Sequence, residues 1–138
     1  MFKKKKKDNN PGQVIFPVNN PNPPEEHEKD VAFILAAHYK STVEFIKAID
    51  DYKRKSADIK LLGVIWEIKS PKGSSKVTIK NNFQRASKQA RNIIIDSRRT
   101  KMSYESVEKA VLFEISKRLY LNRVIIIDKS KNIVEIKK

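Results

Sequence analysis

The chain reads as an α/β domain, an αβββαβ core around a mixed central sheet, extended by a C-terminal helix and a β-hairpin. Three observations carry that reading. Three segments place apolar residues at three- and four-residue spacing, the period of a helix with one buried face. Short β-branched runs lie between and after them. Between the first two helical segments, residues 56–73 (SADIKLLGVIWEIKSPKG) read as two strands joined at Gly63, with charged residues set among apolar ones.

Composition bounds the rest. A length of 138 residues implies one domain. We divide the chain into a basic, turn-rich, flexible tail at 1–23 and a single domain at 24–138. Lys and Arg number 30 against 16 Asp and Glu, a formal net charge of +14. Such a balance calls for a polyanionic partner, nucleic acid first and an anionic membrane second. The membrane reading has only the lysine run at 3–7 behind it. With no cysteine, there is no disulfide framework, thiolate chemistry or cysteine zinc site. The two histidines, His27 and His38, are too few for a histidine zinc cluster. No apolar run approaches the ~20 residues that span a bilayer. The lysine run lacks a following hydrophobic segment, so it is not a secretory signal. The expected setting is a reducing compartment, with the cytoplasm as the site of action, or a piece of a larger protein.

In chain order, the tail holds the lysine run and two turn-rich stretches, and residues 14–16 can add an edge strand. Residues 25–39 form the first helix. Pro24 stands at its start, and Glu25, Glu26 and Glu28 complement the positive end of its dipole. Val31, Ala32, Ile34 and Leu35 give its apolar face, with Glu28 on or beside that stripe. Residues 42–47 (TVEFIK) are a strand, and 49–55 a polar connection. The hairpin follows, then a loop at 71–76. Residues 77–90 are the second helix, buried through Ile79, Phe83, Ala86 and Ala90, with Asn82, Arg85 and Gln89 on another line. NIIID at 92–96 is a buried strand by its continuous branched run. Residues 104–119 are the third helix, capped by Ser103, with Val107, Val111, Ile115 and Leu119 on one face. RVIIID at 123–128 and residues 133–136 are the last strands.

On the second strand of the hairpin, alternation puts Ile65, Glu67 and Lys69 on one face and Val64, Trp66 and Ile68 on the other. An acid and a base beside an apolar core need a reason, because unpaired buried charge is costly. Asp58 lies nine residues before Glu67, across the tight turn, so Asp58, Glu67 and Lys69 can meet at one end of the hairpin. Two close carboxylates suit a hard divalent cation, Mg²⁺ or Mn²⁺, through oxygen ligands. A lysine one pleat away can orient a water or stabilise charge building on phosphorus. The plainer alternative is a structural Glu67–Lys69 ion pair.

Asp, a gap, then Glu-x-Lys resembles the signature of the PD-(D/E)xK nucleases, with Ala57 where that motif often carries proline. The order of elements matches the αβββαβ core of their restriction-endonuclease-like fold. Over residues 26 to about 136, the pieces EKDVAFILA, ADIKLLGVIWEIKSPKG, TIKNNFQRASKQARNIIID and RVIIIDKSKNIVEI are similar to a more particular group. They resemble the tRNA nuclease domain at the C-terminus of contact-dependent growth inhibition (CdiA) toxins, and related toxin domains of mobile elements in Gram-positive bacteria. The resemblance implies a metal-dependent ribonuclease acting on tRNA, with an immunity protein as partner. Glu28, Asp58, Glu67 and Lys69 would form the active set, with Gln89 a helper and Asp58 and Glu67 the metal ligands. Lys72, Lys76, Asn82, Arg85, Lys88, Arg98 and Arg99 would contact nucleic acid. A DNA endonuclease of the same fold is the near alternative, and a non-catalytic nucleic-acid-binding protein the alternative from another class.

Overall fold

The computed structural model describes residues 12–47, 58–86 and 91–138; the lysine run at 3–7, Lys88 and Gln89 lie outside them. The described residues form a mixed sheet of seven strands, β1 to β7, in chain order, with three helices, α1 to α3. The order α1, β2, β3, β4, α2, β5, followed by α3, β6, β7, is the order expected from sequence. No helix among the described residues is long and apolar enough to cross a membrane. The chain divides into two compact units, Met1–Ile65 and Trp66–Lys138.

In the first unit, β1 (Val14–Ile15) pairs parallel with β2 (Val43–Phe45), and β2 pairs antiparallel with β3 (Asp58–Leu61). The stretch read as an edge strand therefore forms one. α1 (Glu26–Tyr39) buries Val31, Ala32, Leu35 and Ala36, a stripe at helical spacing. Phe16 stacks on Phe45 with ring centroids 5.3 Å apart and tilts against Phe33 at 6.4 Å, so the strand edge and the helix share aromatic contacts. Gly12 has φ +88°, and a Cβ there would stand 2.4 Å from the Ala36 carbonyl oxygen and 2.6 Å from that of Ser41. Backbone conformation and close approach both demand glycine at that position.

β3 turns into β4 (Val64–Lys69) through Leu62 and Gly63, with φ of 56° and 80°. Positive φ at both central residues is the two-residue hairpin turn whose twist matches its strands, and it favours Asn-Gly. Leucine in this conformation is strained, and Leu62 is 43% exposed, so little packing offsets the strain. Leu62→Asn is expected to stabilise the protein by about 1 kcal/mol. A urea or thermal midpoint that falls instead would show that Leu62 packing outweighs the backbone.

In the second unit, β4, β5 (Asn92–Asp96) and β6 (Arg123–Ile127) pair parallel in that order, and β7 (Ile133–Lys137) closes antiparallel on β6. α2 (Lys76–Arg85) and α3 (Tyr104–Lys117) connect the parallel strands. Ile79 and Phe83 of α2 and Val107, Val111 and Ile115 of α3 pack with Ile93 and Ile95 of β5 and Val124 and Ile126 of β6 in one buried cluster. Both helices thus cover the same face of these strands. Ser103 caps α3 as expected, its hydroxyl accepting the Ser106 N–H at 3.2 Å.

Both later helices are shorter than periodicity implied. α2 ends at Arg85, where Ala86 turns to an extended backbone (φ −67°, ψ 150°), and the expected stretch 87–90 lies outside the described residues. α3 ends at Lys117, and Leu119, expected on its buried face, is 89% exposed. The chain instead turns at Arg118, and Leu121 takes the buried place ahead of β6.

Candidate active site

The strand register decides where the charged pair of β4 stands. Glu67 is opposite Ile93 and Lys69 opposite Ile95, and those isoleucines lie on the face covered by α2 and α3. Cross-strand partners share a face, so Glu67 and Lys69 belong to the helix-covered side. Trp66 and Ile68 alternate to the other side and are buried, while Ile65 is exposed. This cover explains why two charged side chains retain only 12% and 6% exposure. They satisfy each other, with Lys69 Nζ 3.2 Å from Glu67 Oε2. In a site so poor in water the attraction is stronger than at a surface, and so is the cost of removing one partner.

A second charged cluster closes the C-terminal ends of β4 and β5. Asp96 is fully buried. Arg98 clamps it bidentately, Nε to Oδ1 at 2.8 Å and Nη2 to Oδ2 at 2.9 Å, and the Arg98 N–H donates to Oδ1 at 3.1 Å. Ser70, one residue past Lys69, donates its hydroxyl to Asp96 Oδ2 at 3.5 Å. Pro71 is buried, and the Thr100 hydroxyl donates to the Gly73 carbonyl, so the loop after β4 is tied down at two places. A planar fork of donors suits a buried carboxylate, which is why arginine holds Asp96.

The remaining expected residues are spread more widely. In the first unit, Glu28 is buried at the third position of α1, and its Oε1 accepts the Glu25 N–H at 2.9 Å, closing the helix start as a capping box does. Asp58 heads β3 half-buried, with its carbonyl accepting the Ile46 N–H at 3.0 Å. In the second unit, Lys72, Lys76 and Arg85 are exposed. Asn82 turns back on its own helix, its amide donating to the Thr78 carbonyl at 2.8 Å. Arg99 is half-buried, and Arg98 faces inward onto Asp96 rather than outward. Gln89 and Lys88 lie outside the described residues.

Sequence reasoning passed over Asp96, Ser70 and Glu114. Asp96 had a signal, an acid ending an otherwise continuous apolar strand. Glu114 is buried on α3 and held by Arg118, Nη2 to Oε1 at 2.8 Å and Nε at 3.2 Å. Burial works against the Arg118 charge, but the bonds to Glu114 and Tyr120 outweigh it and hold its pKa above the ordinary value.

An oxygen-only donor set suits a hard cation better than a soft one. Among the described residues no three His, Cys, Asp or Glu side chains gather as a metal site.

Comparison with known proteins adds the family. No curated protein matches the chain. Its fold is similar to a chain of the CdiA-CT/CdiI toxin and immunity complex from Burkholderia pseudomallei, with a TM-score of 0.65 and 20% identity, covering 92% of this chain and 100% of that one. Residues 55–133 match the family described as the contact-dependent growth inhibition CdiA C-terminal domain. That span is more than half of the chain and runs from the β3–β4 hairpin through α2, α3 and β6, so it includes Asp58, Glu67, Lys69 and Asp96. The chain belongs to the contact-dependent growth inhibition CdiA C-terminal domain family.

Proposed function

We infer that the chain is a toxin domain that hydrolyses RNA phosphodiesters, tRNA first, with Mg²⁺ or Mn²⁺ as cofactor. The observation that carries this reading is the Glu67–Lys69 pair, one pleat apart on β4 and nearly enclosed beneath α2 and α3. A purely structural ion pair gains little from such a position, since two apolar residues would pack there at no desolvation cost. A catalytic pair gains much, because charges act more strongly where water is excluded. Family membership and the net charge of +14 point to the same class.

In this mechanism Asp58 and Glu67 are the residues that would hold the cation, with the Ile68 carbonyl as a further oxygen donor. The cation's chemistry at such a position is polarisation of a phosphate oxygen and a lower pKa for a bound water. Lys69 orients the attacking water through Nζ and balances the charge that develops on phosphorus. Glu28 would serve a second water or cation, and Gln89 would help to position the phosphate. Lys72, Lys76 and Arg85, with Lys88, Arg98 and Arg99, carry the backbone phosphates, a salt-sensitive contribution. For Arg98 this role requires its release from Asp96. Toxicity in a recipient cytoplasm implies a neutralising immunity protein in the producer.

The test is to incubate the protein with total tRNA and with plasmid, with Mg²⁺ or with EDTA. Mg²⁺-dependent cutting of tRNA and not of plasmid is expected. Plasmid cutting would make the protein a DNA endonuclease, and no cutting of either would remove the enzymatic reading.

A further inference from the structure

A groove of about 860 Å³ runs between α2 and α3, within the second unit. Its walls carry Lys76 and Lys80 from α2 and Lys109 and Lys117 from α3. The acid on its wall is Glu114, and that carboxylate is already bound by Arg118. Lys117 Nζ also stands 3.9 Å from Glu114 and 4.9 Å from the centre of the Phe113 ring. Phe113 lines the groove and is 61% exposed, an unusual position for a phenylalanine on a helix whose other face is a core. None of Lys80, Lys109, Phe113 and Lys117 has a role in the mechanism above.

Lysines on both walls and an exposed aromatic ring on one of them are the two components of a single-stranded nucleic-acid site. The lysines follow the backbone, and the ring offers a face on which an unpaired base can stack. Duplex RNA satisfies only the first component, because its bases are stacked inside the helix and its major groove is too narrow for side chains to enter. We propose that the α2–α3 groove binds an unpaired stretch of the RNA substrate, with phosphates on Lys76, Lys80, Lys109 and Lys117 and a base stacked on Phe113. The proposal rests on the ribonuclease reading for its substrate class. It makes selection of an unpaired region a property of these two helices rather than of the β4 pair.

Binding can be measured apart from cleavage. The whole chain is titrated in EDTA with a short unstructured oligoribonucleotide and with an RNA duplex of equal length, at several salt concentrations. Lys80→Glu/Lys109→Glu, at two exposed positions, is expected to weaken single-strand binding about tenfold or more. Replacing two phosphate contacts should flatten the salt dependence by about 1.4 in log–log slope. Phe113→Ala is expected to weaken single-strand binding by at least about fivefold and to leave duplex binding unchanged. Melting curves of both variants check that folding is intact.

Unchanged affinity and slope in the lysine variant would overturn the proposal. So would an equal loss on single strand and duplex in Phe113→Ala, or RNA binding left intact while an immunity protein no longer binds, which would make the groove a protein surface. If the parent chain cuts no RNA but these variants lose binding as described, the groove stands and the nuclease reading falls. If the parent cuts tRNA and the variants bind normally, the groove falls alone.

Discussion

Lys69→Ala is expected to lower RNA cleavage by about 10²–10³-fold while leaving RNA binding in EDTA intact. The size is that of removing one preorganised group from the place where transition-state charge develops. Lys69 is 5% exposed and lies 3.2 Å from Glu67, so its loss also removes a close counter-charge from a nearly enclosed carboxylate. A stability loss of about 2–4 kcal/mol should therefore accompany the loss of activity. A second variant separates the two effects. Glu67→Gln/Lys69→Met removes both charges and keeps both shapes, and replacing a whole buried pair is close to neutral for stability. It should melt near the parent and still fail to cut. A purely structural pair predicts the same stability but cleavage at the parental rate in the double variant. Cleavage by Lys69→Ala at the parental rate, in a sample shown to be folded, would end the mechanism.

Arg98→Ala is expected to cost about 3 kcal/mol of stability or more. Asp96 is fully buried, and the guanidinium supplies two of its bonds at 2.8 and 2.9 Å. After the substitution the carboxylate keeps the backbone N–H of residue 98 and the Ser70 hydroxyl, too few donors for a charge without water. Asp96→Asn added to Arg98→Ala should recover part of the loss, because a neutral amide is cheaper to bury. Urea midpoints of the single and double variants give the coupling directly. Additive losses would mean that the pair contributes nothing as a pair. The distinction bears on function, since Arg98 cannot serve a phosphate while it holds Asp96.

The local features of this protein were legible without a structure. Period-two alternation set Ile65, Glu67 and Lys69 on one face of β4 and Trp66 and Ile68 on the other. Helical spacing found Val31, Ala32 and Leu35 of α1, Ile79 and Phe83 of α2 and Val107, Val111 and Ile115 of α3, and the Asp-gap-Glu-x-Lys pattern drew attention to β4. These depend on residues close in sequence, where geometry is set by the period of the element. The helix ends were less legible. An apolar residue at the right spacing, such as Leu119, cannot signal that the backbone has already turned toward the next strand.

What the tertiary structure alone decided was the partnering of charge. That Lys69 is nearly enclosed follows from the helices that cover Ile93 and Ile95, some twenty-five residues along the chain. That Arg98 points inward, while Lys72, Lys76 and Arg85 stay exposed, follows from a buried acid two residues before it. A basic residue reads the same in sequence whether it meets a phosphate or a carboxylate. The choice is made by burial, because a charge removed from water must take whatever opposite charge the fold brings within reach.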